Sequence, residues 1–106
     1  MALTFGQLVA KRRKELGLSQ KQLASMILKE DGLPISAQYL NDIERNRRNP
    51  PGDFLLNEIA RVLKIDEEVL YYLAGELPAD MRMRSDDPER ITRAFHAFRQ
   101  TLGGDK

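Results

Sequence analysis

Five times in the first 75 residues the chain repeats one pattern. A small polar or acidic residue opens a segment, apolar side chains recur at spacings of three and four, and in four of the five glycine, asparagine or proline closes it. Only α-helices bury a stripe with that period, and almost nothing in the sequence alternates with the period of two that strands need. The reading is therefore all-α.

The first helix starts after Thr4, carries Phe5, Leu8, Val9 and Leu16, and stops at Gly17. Ser19 opens the second, where Gln22 completes a capping box and Leu23, Ala24, Ile27 and Leu28 are the candidate inward residues. Asp31-Gly32 and Pro34 break it. Ser36 caps the third, whose large apolar groups are Tyr39, Leu40 and Ile43, and an Arg/Asn loop leads to Pro50-Pro51. A fourth helix, from Gly52 or Asp53 to Leu63, offers Leu55, Leu56, Ile59, Ala60 and Leu63 to the core. Asp66 caps a fifth, Glu67 to Ala74, with Val69, Leu70 and Leu73 inward and Gly75 as its stop.

Past Pro78 the composition changes. Residues 80–86 are polar with isolated methionines and read as a linker of low order. A last helix follows, with Asp87 as N-cap, Pro88 in its first turn, and Ile91, Phe95, Phe98 and Leu102 at spacings of four, three and four. The expected organisation is a five-helix unit over residues 1–77 and a linker with one helix over 78–106. With 106 residues, 42% of them hydrophobic and 31% charged, one modest core is what the chain can bury.

Charge separates the two halves. Residues 1–50 hold nine basic against five acidic side chains, a net +4, and the remainder holds eight against eleven, a net −3. A locally basic half in a nearly neutral chain is what a polyanion-binding face needs, although each residue singly fits a solvated helix surface. Other chemistries find little support. Cysteine is absent, which excludes disulfides and thiolate metal sites, and His96 is the only histidine. Asp86, Asp87 and Glu89, like Asp66-Glu67-Glu68, fall at helix starts, where the dipole favours them. The glycines are isolated apart from Gly103-Gly104, so no loop cradles a phosphate. No enzyme, metal or cofactor is expected. No apolar run approaches the roughly 18 residues that cross a bilayer, and the start lacks a signal-peptide pattern, so a cytoplasmic location is expected.

Residues "LVAKRRKELGLSQKQLA", "ISAQYLNDIERNRRNP" and "LLNEIARVLKID", in that order over about residues 5–75, resemble the Xre/Cro-type (lambda repressor-like) helix-turn-helix regulators. The resemblance implies a double-stranded DNA-binding regulator, a repressor or autoregulator, working as a homodimer. The alternative is an antitoxin-like module whose last helix engages a protein partner while the domain binds its own operator. One departure stands out: helices two and three are normally joined by three or four residues, and here the turn is longer.

In that setting the third helix gains a purpose. Gln38 and Asn41 carry amides able to pair with a base edge, and Arg45, Arg47 and Arg48 are suited to phosphates. Ala37 and Asp42 fall at positions that face DNA in the family, the first for a thymine methyl, the second for cytosine. Tyr39 is divided between core edge and phosphate contact. Ser19 and Gln20 would put the start of helix two against a phosphate. Arg13 and Glu44, beside Leu16 and Ile43, are expected to pair. The stripe of Ile91, Phe95, Phe98 and Leu102 is expected to dimerise, the competing possibility being that it folds back on helix five.

Overall fold

Three helices open on a hydroxyl that takes the place of a missing acceptor. The computed structural model describes residues 3–82, 84 and 87–103. In it Thr4 accepts from the N–H of Gln7 at 3.1 Å while the Gln7 amide oxygen accepts from Thr4 N at 3.0 Å, opening α1 (Phe5–Glu15). Ser19 and Gln22 make the same reciprocal box before α2 (Gln20–Met26), and Ser36 accepts from Tyr39 N before α3 (Ala37–Glu44). Each such cap contributes about 1 kcal/mol and fixes where its helix begins. The others are α4 (Asp53–Leu63), α5 (Glu67–Leu73), α6 (Ala79–Arg82) and α7 (Pro88–Thr101). Asp66 makes no side-chain cap bond, so Asp66, Glu67 and Glu68 act on α5 through its dipole.

The core joins Phe5 and Val9 of α1, Leu23 and Ala24 of α2, Leu40 and Ile43 of α3, Leu56, Ile59, Ala60 and Leu63 of α4, and Leu70 and Tyr71 of α5. Ile27 and Ile35 complete it from the two ends of the long turn. That turn is a closed hairpin. Leu28 and Pro34 form an isolated antiparallel bridge, Lys29 N donates to Leu33 O at 2.8 Å, and Gly32, at φ +84°, donates back to Lys29 O at 2.9 Å. Ile35 N then donates to Ile27 O at 3.0 Å. The extra residues thus bulge outward, and α3 resumes beside α2.

Two inward assignments fail. Helix α2 ends at Met26, so Leu28 lies in the hairpin and is exposed, and Val69 faces outward on α5. Tyr71 fills the place instead. It is buried, its hydroxyl donates to Asn57 Oδ1 at 3.0 Å, and burial pushes its pKa above the ordinary value.

Past Pro78 the expected linker is partly helical. Arg82 of α6 donates to Asp53 Oδ1 at 2.8 Å and to Leu77 O at 3.0 Å, which ties α6 to the start of α4. Met83, Ser85 and Asp86, also assigned to the linker, lie outside the described residues. None of α7 is buried. Ile91, Phe95, Phe98 and Leu102 remain partly exposed, and Phe98 meets Tyr72 of α5 edge-on at 5.9 Å between ring centroids. No described helix is long and apolar enough to cross a membrane.

What positions α3 is its clamp to α1. Arg13 grips Glu44 with two bonds, Nε to Oε2 at 2.7 Å and a terminal nitrogen to Oε1 at 3.0 Å, and its remaining nitrogen donates to Leu18 O at 2.9 Å. The side chains are 12% and 5% exposed. At the other end Gly6 lies directly against the end of α3, where a Cβ would meet the carbonyl oxygens of Ile43 and Glu44, the latter at 2.6 Å. Asn46 closes α3 in a left-handed conformation, φ +58°, while its side chain accepts from Gly6 N and donates to Thr4.

Three outcomes follow. Gly6→Ala should destabilise by roughly 1–3 kcal/mol, although alanine is the better helix former, because backbone rather than a movable side chain occupies the space. Arg13→Ala or Glu44→Ala should each cost roughly 3–5 kcal/mol by leaving an unpaired buried charge. Denaturant midpoints measure both. The Arg82 hydrogen bond holds the Asp53 carboxyl below its ordinary 3.8. The tie is therefore at full strength above that value and is lost as pH falls through the lower, folded pKa. Carboxyl NMR of Asp53 should show the depressed midpoint, and Arg82→Ala should return it to normal.

Candidate nucleic-acid interface

With Leu40, Ile43 and Glu44 buried, α3 turns a second face outward, and positions 37, 38, 41, 42 and 45 share it by helical spacing. Ala37, Gln38 and Arg45 are exposed, and Asn41 and Asp42 are half-buried. The face resolves into two hydrogen-bonded groups.

In the first, Gln38 Nε2 donates to Asp42 Oδ1 at 3.0 Å. Arg47 and Arg48 approach the same carboxylate at 3.9 and 3.8 Å, each more than half exposed. The Arg48 guanidinium also lies over the Tyr39 ring, 4.9 Å from its centroid, so Tyr39 supports an arginine from the edge of the core. In the second, the Gln20 amide nitrogen donates to Asn41 Oδ1 at 3.1 Å and to Glu44 Oε1 at 2.9 Å, and Arg45 Nε donates to Asn41 Oδ1 at 3.3 Å.

Gln20 thus spends both amide hydrogens inside the protein, and the Ser19 hydroxyl oxygen accepts in the cap. The backbone N–H groups of Gln20 and Lys21 are those without an intrahelical acceptor at the start of α2. Ion pairing of Glu44 with Arg13 removes one negative charge from this region. Arg47 and Arg48 then flank one half-buried carboxylate, that of Asp42, and Arg45 lies beside Asn41.

The structure gathers Gln38, Asp42, Tyr39, Arg47 and Arg48 in one place, and Gln20, Asn41 and Arg45 in the next. Ile91, Phe95, Phe98 and Leu102 stand apart from both, beside α5. Two residues escaped the sequence reading. One is Gln20 as a bridge between α2 and α3, which nothing in its local sequence signals. The other is Asn46, whose place just past the end of α3 is the usual signature of a left-handed cap. Arg47 N donates to Asp42 O at 2.8 Å and Asn46 N to Ile43 O at 3.1 Å, so the arginine loop leaves the helix in one defined direction.

The helix-turn-helix family model matches residues 9–70, from the middle of α1 into α5. Two relatives, both named as uncharacterized HTH-type transcriptional regulators of Mycobacterium tuberculosis, from strains CDC 1551 / Oshkosh and H37Rv, are 35% identical over 72 residues. The match takes in 68% of this chain and 46% of each relative, so the chain aligns with a little under half of their length. Helix order and the matched span agree, and the chain belongs to the Xre/lambda repressor-like helix-turn-helix family.

Proposed function

We propose that this chain is a DNA-binding transcriptional regulator that sets α3 into the major groove of double-stranded DNA and reads sequence there. The carrying observation is the outward face of α3, where an amide lies near the start at Gln38 and another mid-helix at Asn41, with Arg45, Arg47 and Arg48 at the far end. Amide groups discriminate base edges, whereas arginines beside them hold phosphates without regard to sequence. Ala37, exposed at the start of α3, offers its methyl to a thymine methyl. Occupying a promoter in this way gives repression, the output we assign.

The regulator acts as a homodimer through α7. Its apolar stripe of Ile91, Phe95, Phe98 and Leu102 is partly uncovered and continuous with exposed Tyr72, which it touches through Phe98. Charge favours a second copy as occupant. Helix α7 carries Arg90, Arg93 and Arg99, and α5 opens with Glu67 and Glu68 beside exposed Val69. A two-fold pair can bring α7 of each copy to α5 of the other, both contacts forming at once, and would match a two-fold operator.

Two measurements test these readings. Gln38→Ala should cost about 1–3 kcal/mol on the preferred site and leave non-specific affinity nearly intact. Arg47→Ala and Arg48→Ala should weaken binding to all duplexes alike, each lowering the salt slope by about one. Full sequence preference in Gln38→Ala would remove α3 from the groove. Sedimentation at micromolar concentration should give a dimer that Phe95→Asp with Phe98→Asp converts to monomer, and a monomeric wild-type chain would refute the pairing.

A further inference from the structure

We propose that Asp42 is a positioning residue rather than a base reader, and that by fixing the Gln38 amide it makes adenine the base read by Gln38. The inference rests on α3 lying in the major groove, as above, and adds which base is chosen and what enforces the choice.

A carboxylate can only accept hydrogen bonds, whereas an amide has one accepting oxygen and two hydrogens on nitrogen. Gln38 Nε2 lies 3.0 Å from Asp42 Oδ1. The reverse orientation would set two acceptors against each other, so the amide has one stable direction. Giving Asp42 the Nε2 hydrogen trans to Oε1 leaves the cis hydrogen and the Oε1 acceptor side by side, the arrangement this proposal assigns. Adenine presents the matching pair, an N7 acceptor beside an N6–H donor, whereas guanine presents two acceptors and would leave Oε1 facing O6.

Asp42 itself is poorly placed to read. Its side chain is 20% exposed, and both oxygens are approached by arginines, Arg47 on Oδ1 and Arg48 on Oδ2. The neighbouring amide supplies a contrast. Asn41 Oδ1 accepts from Gln20 Nε2 and from Arg45 Nε, an obligate donor, so Asn41 is left with donors alone. Its direction is set from behind: Arg13 holds Glu44, Glu44 accepts from Gln20, and the same Gln20 nitrogen faces Asn41. Asn41 therefore suits an acceptor edge, and the two amides of α3 carry different hydrogen-bond codes.

Asp42→Asn keeps the shape but supplies a donor, which lets the Gln38 amide turn over and offer both hydrogens to guanine. The experiment compares wild type, Asp42→Asn and Asp42→Ala by selection from a random duplex pool, followed by competition binding. The base pair read by Gln38 is the one whose preference disappears in Gln38→Ala, and a thermal melt confirms that each variant is folded. Wild type should favour adenine over guanine there by roughly tenfold or more, and Asp42→Asn should shrink that ratio to about threefold or less while other positions keep theirs. Asp42→Ala should shrink it as well, since it also frees the amide. An unchanged adenine preference in both variants overturns the proposal and leaves DNA binding standing. Loss of a cytosine preference at another base pair, with adenine retained, overturns it too, because Asp42 would then be reading directly. Failure of wild type to bind any duplex overturns the underlying reading and the proposal together.

Discussion

A carboxylate at the last turn of α3, on a side chain only 5% exposed, requires a cation beside it, and Arg13 supplies that cation from α1 with two bonds. Most of the surface architecture follows from this pair. It fixes the end of α3 against α1, and Gly6 then lets the two backbones approach so closely that no side chain fits between them. Glu44 Oε1, already gripped by Arg13, also accepts from Gln20, which places the start of α2 against α3. Helix α3 is therefore set against α1 by charge-assisted bonds, and against α2 by Gln20 and by packing of Leu23, Ala24, Leu40 and Ile43. Packing alone would tolerate small slides along an apolar surface. A bidentate ion pair does not.

That division explains how much was legible in the sequence. Helix starts were, because Thr4, Ser19 and Ser36 act within three residues of themselves and need no tertiary information. Core faces were mostly legible for the same reason, as with Leu56, Ile59, Ala60 and Leu63 on one stripe of α4. Leu28 was misplaced because a helical period continued on paper one turn past Met26, while Asp31 and Gly32 closed a hairpin that turned the chain outward. Tyr71 was overlooked because its polar tip disguises a buried ring, and only Asn57, fourteen residues away, shows how the hydroxyl is satisfied. Helix α6 was hidden by its brevity, since a four-residue turn has no stripe and depends on Arg82 reaching Asp53. The outward face of α3 was legible as a set of residues. The hydrogen-bond direction of Asn41 was not, because it is fixed by Gln20, Glu44 and Arg13, which are distant in sequence.

The long turn shows why an insertion there leaves the helix pair intact. Ile27 and Ile35 are both buried, and a backbone bond between them brings the ends of the excursion together. Everything between closes on itself through Leu28, Lys29, Gly32 and Leu33, so the cost of the extra residues is met locally and is small for a loop this short. Lys29, Glu30 and Asp31 at its tip sum to a negative charge, and Lys29 already faces Asp31 at 3.9 Å. The hairpin therefore adds no positive charge, and the proposed attraction for a polyanion rests on the arginines beyond α3.

Those arginines and amides are held in place before any ligand arrives. Arg48 rests on Tyr39, Arg45 on Asn41, and the loop that carries Arg47 and Arg48 is directed by the left-handed Asn46 and its bonds to Thr4 and Gly6. A flexible side chain loses rotamer freedom when it binds, about 0.5–1.5 kcal/mol for each one immobilised, and contacts made in advance spare part of that loss. They also narrow what the side chain can accept, because an amide already committed to one direction cannot turn to suit another base. Arrangement in advance therefore raises selectivity as well as affinity. On the proposed reading, the residues that accomplish it, Asp42, Gln20 and Glu44, need never touch the ligand at all.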